Sequence, residues 1–488
     1  MVNPILLIIV PIAAAFFIPI ISKAAKSLAK YIAFFVGLFN LIAAIYIFMY
    51  TINTPISVII AGYKPPVGIN LYVGPLAAVL SIVITFIGFL SMIYSFKYIN
   101  DDSSPLFYSM FLLLLTGAIG MVLTADIFNL FVFFEILCIS SYALVAYDRN
   151  RDGLEASMKY LIQGSIGSVL ILFGIALIYF SIGTLNMADI ALKYQNANKN
   201  LITIAIILMI TGFGIEAAIF PLNSWLPDAH SSAPSSISAV LSGFVIEVAL
   251  IIIMKIIFLI FSATYFLTFF AIVGVITLLM GELSAFKQEN IKRVLAYSSI
   301  GQIGLILFAF SINTPQGISG GIFQIINHAV SKSLLFLSAG YVIHKTGSKN
   351  VSDYKGIAKS MPFLGIVFII GALSLIGIPP FIGFFSKFNI ILAAISKHSV
   401  LYIVLTALVL LGTIFEASYF FKIAKIMYTG KKRKEGYAKV PFAVLFPLGL
   451  LAIIIVISFI YTNGILNYTN KAGADLINKI AFIHAVLG

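Results

Sequence analysis

Eight titratable side chains stand inside or at the edge of apolar runs that could each cross a bilayer: Glu135, Glu216, Glu247, Lys255, His328, Lys332, Lys387 and Glu416. A charge at the bilayer centre costs about 3 kcal/mol on insertion scales. Eight scattered charges would oppose insertion altogether. A shared polar axis, with water and mutual pairing, is the cheaper arrangement. Any one of these groups, taken singly, is also what a helix–helix polar contact would leave. As a set, carboxylates, an imidazole and amines are the groups that take up and release protons. Their oxygens also suit a hard cation. His328 and Lys332 are one helical turn apart, in FQIINHAVSKSLLFL, where Asn327, Ser331 and Ser333 add further polarity. That spacing predicts a relay pair on one face.

The stretch Thr211–Pro234 shows how such groups are positioned. Glu216 lies in an apolar run, Pro221 interrupts the helix five residues later, and a polar segment with Asp228 and His230 follows. Proline removes a backbone donor and clashes with the preceding turn. Broken backbone at membrane depth is tolerated only inside protein or beside a water-filled path. A second break is expected at Gly377-Ile378-Pro379-Pro380, shortly before Lys387. Glu247 follows Glu216 by 31 residues, and Glu416 follows Lys387 by 29. Each half thus offers a broken span with one titratable group and a second group in the next helix. Repeated halves with discontinuous helices are the sequence mark of a transport site.

The frame that holds these residues is a membrane bundle. The chain has 488 residues, 61% of them hydrophobic and 10% charged, with mean hydropathy +1.10, whereas soluble domains carry about 25% charged residues. About 14 spans are expected, roughly 2–22, 29–50, 74–98, 106–124, 126–147, 158–181, 201–221, 236–258, 264–285, 292–312, 316–343, 361–396, 400–428 and 440–462. The first reads as a retained helix rather than a signal peptide. The fold class is therefore an all-α polytopic membrane protein. Its segments are N-terminal helices (1–105), a first five-helix repeat (106–258), a second repeat (264–428), and a last span with an interfacial tail (429–488). Five is odd, so the second copy is inverted.

With the N-terminus outside, 21 of the 30 Lys and Arg residues fall in inside loops, including Lys431, Lys432, Arg433, Lys434 and Lys439. Six fall outside, and Lys255, Lys332 and Lys387 lie in the membrane. This bias puts both termini on the outer side of a prokaryotic cytoplasmic membrane, with Asp228 and His230 at the cytoplasmic mouth. It also assigns the net charge of +13 to loops that meet anionic lipid rather than nucleic acid. One cysteine excludes a disulfide framework or an all-cysteine cluster, and the five histidines have no metal-site spacing. No phosphate-binding glycine loop is present. No metal site, bound cofactor or catalytic centre is expected in this chain.

Several stretches resemble the antiporter-like subunits shared by complex I, Mrp cation/proton antiporters and membrane-bound hydrogenases. They are ADIFNLFVFFEIL around Glu135, WLPDAH with APSSISAVLSG after it, IKRVLAYSSIGQIG, NHAVSKSLLFLSAG and GIPPFIGFFSKF. The likeness covers about 70–430 and is greatest to the D-type chain of the Mrp antiporters. It implies fourteen helices with two inverted five-helix repeats, a proton path along a central axis, and partner membrane subunits in a redox-driven or antiporting complex. Within it, Glu135 matches a glutamate on helix 5 that pairs with a lysine on helix 7. Lys332 matches the lysine of a broken helix 11, with His328 one turn before it, and Lys387 matches the terminal lysine of broken helix 12. The chain departs from the pattern in its first half. Glu216 and Glu247 stand where the family has lysines, and Asn223 stands where it has a histidine.

Three carboxylates close together in a low dielectric cannot all ionise. Either they relay protons, or with Asn223 they host Na⁺, or the first half does not pump. The leading expectation is a proton-translocating subunit of a larger complex, with H⁺ or Na⁺ as cargo and Glu416 at the exit. A stand-alone Na⁺/H⁺ antiporter and a non-pumping membrane anchor of an oxidoreductase are the alternatives.

Overall fold

The computed structural model describes residues 2–23, 25–60, 62–431 and 440–488. Lys432, Arg433, Lys434 and Lys439 of the basic run lie outside the described residues. Among the described residues, 11 helices are long and apolar enough to cross a membrane, or up to 13 if two sharply bent pairs each count as one span. The expected span 2–22 appears as the shorter helix Leu6–Ile21, and the expected span 361–396 as Pro362–Ile376 followed by the shorter Ile382–Ile395. One correction to the all-α expectation is a two-stranded antiparallel ribbon, Ile56–Ile59 against Asn70–Val73, with Ile56 opposite Val73. It lies between two expected spans, in a stretch assigned to no element by hydropathy.

Burial sorts the helices into an inner and an outer set. The Ser235–Ile260 helix is buried along its whole length, and Pro75–Ser95, Ile291–Ser311 and Pro315–Thr346 nearly so. The Leu28–Thr51, Arg151–Ile182 and Val400–Tyr428 helices expose most of their apolar surface, as lipid-facing helices do. Pro315–Thr346 is the central member. It packs against Ile291–Ser311, both halves of the second broken span, and the Phe442–Ile457 and Thr462–Ile477 helices. This helix is continuous over 32 residues, which corrects the break that the resemblance implies around Lys332. Its one proline is at the first position, where no intrahelical donor is lost.

Side-chain caps close helix ends where lipid offers no partner. Asp126 accepts from Phe128 N and Asn129 N at 2.9 and 2.8 Å, and Asn290 accepts from Lys292 N at 3.0 Å. The two expected breaks are present. Lys199–Glu216 ends before Pro221, and Trp225–Ser232 resumes after it. Pro362–Ile376 ends at Gly377, and Ile382–Ile395 follows. Gly377 has φ +85°, a left-handed turn that favours glycine.

The tail is not peripheral. The Thr462–Ile477 helix bends 92° from Phe442–Ile457 and packs against Pro75–Ser95. Its Asp475 accepts from Tyr72 Oη at 2.6 Å and from Leu76 N at 3.1 Å, capping the Pro75–Ser95 helix. An added Cβ at Gly74 would lie 2.4 Å from the Asp475 carboxylate, so glycine is what lets the carboxylate approach.

Candidate ion-translocation site

In the first half, the break after Lys199–Glu216 leaves Glu216 buried at 1% exposure. Its partners are uncharged. Tyr160 Oη donates to Oε1 at 2.5 Å, and Cys138 Sγ lies 3.6 Å from Oε2. Trp225, just past the break, stacks on Tyr160 at 3.7 Å and donates to Ile215 O at 2.8 Å, which fixes the tyrosine ring. Glu135 is half-buried and accepts from Ser168. It is within electrostatic reach of Glu216 but shares no hydrogen bond with it. Glu247 stands apart from both carboxylates. The three do not converge on one cation, and among the described residues no three His, Cys, Asp or Glu side chains could together hold a metal ion.

Glu247 belongs to the junction of the halves. His328 Nδ1 lies 2.6 Å from Glu247 Oε1, both side chains being fully buried. Glu247 Oε2 and His328 Nε2 have no protein partner among the described residues. Buried polar atoms of this kind require hydrogen bonds, which water can supply. The Ser235–Ile260 helix carries π-turns at Leu241–Val245, just before Glu247, and at Lys255–Ile260. Such turns gather at functional sites. His328 and Lys332 share a helix and lie within electrostatic reach of each other, but take different hydrogen-bond partners. Lys332 Nζ donates to Leu295 O at 3.0 Å, because a four-residue step also rises about 6 Å along the axis.

The second half holds a longer network. Lys387 Nζ donates to Glu416 Oε2 at 2.7 Å and to Ile376 O at 3.2 Å. Ile376 ends the first half-helix of the broken span, so its carbonyl carries the negative end of that dipole. Glu416 Oε1 accepts from Gln302 Nε2 at 2.6 Å, and Gln302 Oε1 accepts from Gln324 Nε2 at 2.6 Å. Ser386 donates to Gln324 Oε1 at 2.5 Å, while Ser374 donates to Asn327 Oδ1 at 2.7 Å. Close approach here depends on Gly383, where a Cβ would lie 1.7 Å from Ser374 O. Lys332 is within electrostatic reach of His328, Glu416 and Lys387.

The prolines and the mouth complete the placement. Pro221, Pro379 and Pro380 are exposed, while the charges beside them are buried. Lys255 is buried and donates to Val122 O at 2.6 Å. Asp228 faces a polar cavity of 690 Å³ and pairs with Lys159 at 3.0 Å and with Arg293. His230 corrects the expectation of a mouth residue. It is fully buried and stacks on Phe336 with ring centroids 4.7 Å apart. Two residues along a helix is a turn of about 200°, so Asp228 and His230 face opposite ways.

Of the buried charges that sequence reasoning missed, two bear on the site. Glu282, 2% exposed, accepts from Tyr419 Oη at 2.8 Å and also lies near Lys332. Its signal is a carboxylate inside an apolar span beside Gly281, with Gly301 opposite: a Cβ on Gly301 would lie 2.1 Å from Glu282 Oε1. Lys292, 4% exposed, belongs to the core although the charge bias assigns it to a loop.

The family described as NADH:quinone oxidoreductase/Mrp antiporter, TM, matches residues 124–415, and the one described as NADH-ubiquinone oxidoreductase (complex I), chain 5 N-terminus, matches residues 64–108. The chain belongs to this antiporter-like family. It is 32% identical over 491 residues to the D-type Na(+)/H(+) antiporter subunit of Alkalihalophilus pseudofirmus, covering 99% of each. It is 33% identical over 380 residues to the N-type NADH-quinone oxidoreductase subunit of Desulforudis audaxviator, covering 76% of this chain and 74% of the relative. A chain of the membrane-bound sulfane sulfur reductase, an archaeal respiratory membrane complex, superposes with a TM-score of 0.94 at 38% identity, covering 99% of each. The chain is thus a multi-pass, D-type antiporter-like membrane subunit with charged residues buried in its core.

Proposed function

We propose that this chain translocates protons along its buried axis as one membrane subunit of a larger ion-pumping or antiporting complex. The observation that carries the reading is the run of buried groups from Glu247–His328 through Lys332, with Gln302 and Gln324 alongside, to Glu416–Lys387. Each group is within electrostatic reach of the next. A proton gained at one therefore changes the energy of charge at its neighbour. Glu216, held by Tyr160 and Cys138, acts as a protonatable carboxylate where relatives place lysine. Protons enter from the cytoplasmic face, pass along Glu216, Glu247, Lys332 and Lys387, with water bridging the gap between the separated Glu216 and Glu247, and leave near Glu416. The two halves, 106–258 and 264–428, act as inverted units, with both termini outside a prokaryotic plasma membrane.

The exposed breaks at Pro221 and Pro379-Pro380 suit covered flanks, because lipid leaves open backbone unsatisfied. Membrane subunits of the kind found in respiratory and antiporter complexes would cover them. Replacing Glu216 and Glu247 together by Gln is expected to abolish proton flux in vesicles while the complex still assembles. Unchanged flux would reject the pair. The relative named as a Na(+)/H(+) antiporter component favours Na⁺ as counter-ion, and flux measured with and without sodium decides that point.

A further inference from the structure

A second cytoplasmic cavity, of 270 Å³, lies near the Asp228 mouth but is separately walled. Tyr94, Tyr98, Asp148, Lys292, His344 and Lys349 line it. Its floor depends on Gly340, where a Cβ would lie 2.3 Å from Ser235 Cβ and 3.0 Å from Tyr94 Oη. Asp148, in the loop between two spans, is raised by burial and pulled back by Lys292 and then Lys349, so it responds to both lysines. Lys292 reaches inward from this cavity. Its Nζ donates to Ala233 O at 2.6 Å, the residue that closes the Trp225–Ser232 helix.

Three residues before Ala233 is His230, fully buried, with neither ring nitrogen partnered among the described residues. An imidazole carries one donor and one acceptor, and burying both unpaired is costly. Lys292 and Lys332 are each within electrostatic reach of His230. His230 therefore stands between a cytoplasmic cavity and the lysine of the axis. The larger cavity gives no such continuation, since its Asp228 is engaged by Lys159 and Arg293 and faces away from His230.

We propose that protons are taken up through the Tyr94–Asp148–Lys292 cavity and reach the axis by way of Lys292 and His230. In this step a proton from cavity water binds the Lys292 amine. The ammonium so formed passes a proton, directly or through water, to a His230 ring nitrogen and returns to the amine. His230 passes its own proton onward toward Lys332 and becomes neutral again. The inference rests on the axis proposed above.

The bland alternative is that Lys292 only caps the Trp225–Ser232 helix. Lys292→Arg separates the two, because arginine still donates to Ala233 O but does not release its proton at neutral pH. In everted vesicles carrying the assembled complex, this variant is expected to lose proton flux at least about tenfold. Flux at the unmodified rate overturns the inlet. If the arginine disturbs assembly, Ile343→Cys on the apolar rim of the same cavity serves instead. Cys138 is the only native cysteine and is buried, so a bulky thiol reagent will find the new residue first. Labelling is expected to slow flux about tenfold, while the unlabelled variant runs normally. Undiminished flux after full labelling overturns the inlet. Glu247→Gln, run in parallel, keeps the two proposals apart. If it stops flux while labelled Ile343→Cys does not, the inlet falls and the axis stands. If Glu247→Gln also runs normally, the axis falls as well.

Discussion

The two broken spans are built on one plan and treat their buried charge in opposite ways. After the break at Gly377, Lys387 meets a carboxylate and a helix-end carbonyl, so its charge is balanced within the protein. Before the break at Pro221, Glu216 meets a phenol and a thiol and has no cation against it. Phenol and thiol can hydrogen-bond a carboxylate or, with the proton relocated, a carboxylic acid. A change of charge at the second site breaks an ion pair, whereas the first site has none to break. The same pair of helical breaks gives an ion-paired lysine at one end and a neutral-partner acid at the other.

The sharpest test of this contrast is Lys387→Ala. It leaves Glu416 buried without its cation, which costs about 3–5 kcal/mol, and a large drop in the unfolding midpoint of the purified complex is expected along with lost proton flux. Next, Gly301→Ala pushes a methyl group against Glu282, and overpacking of this kind costs about 1–3 kcal/mol. Thermal unfolding should report it, and flux should fall as the carboxylate moves away from Lys332. Tyr419→Phe removes the phenol that donates to Glu282 and is expected to cost about 1–2 kcal/mol by the same measurement. Glu216→Gln should cost under about 1 kcal/mol, because Tyr160 can donate to the amide oxygen as well, yet flux should still collapse. A destabilisation by Glu216→Gln as large as that of Lys387→Ala would erase the distinction between the two sites.

Much of this is legible in the sequence because membrane charges are rare. Glu216, Glu247, Lys332 and Lys387 stand out of apolar runs, and the prolines mark the breaks. Which charge meets which is not legible. His328 and Lys332 share a helix face by spacing, but Glu247 arrives from a helix 81 residues away and takes the histidine. Neutral partners are invisible for another reason. Tyr160 and Cys138 cost little to insert, so nothing in hydropathy flags them, and Gln302 and Gln324 are polar but carry no charge that would single them out as titratable groups. Lys292 fails in the opposite direction: it sits at a helix start, where loop lysines collect, and only packing shows that it turns inward. The Ile56–Ile59 strand is four residues long, too short for a periodic signal.

The Asp475 cap has a consequence for how the chain is made. Synthesis proceeds from the N-terminus, so the Pro75–Ser95 helix is inserted long before the carboxylate that closes its first turn exists. Until then its leading amides must borrow partners. That turn is closed only when the Thr462–Ile477 helix packs against Pro75–Ser95, which makes this late-made segment the keystone of an arch whose other stones are already standing.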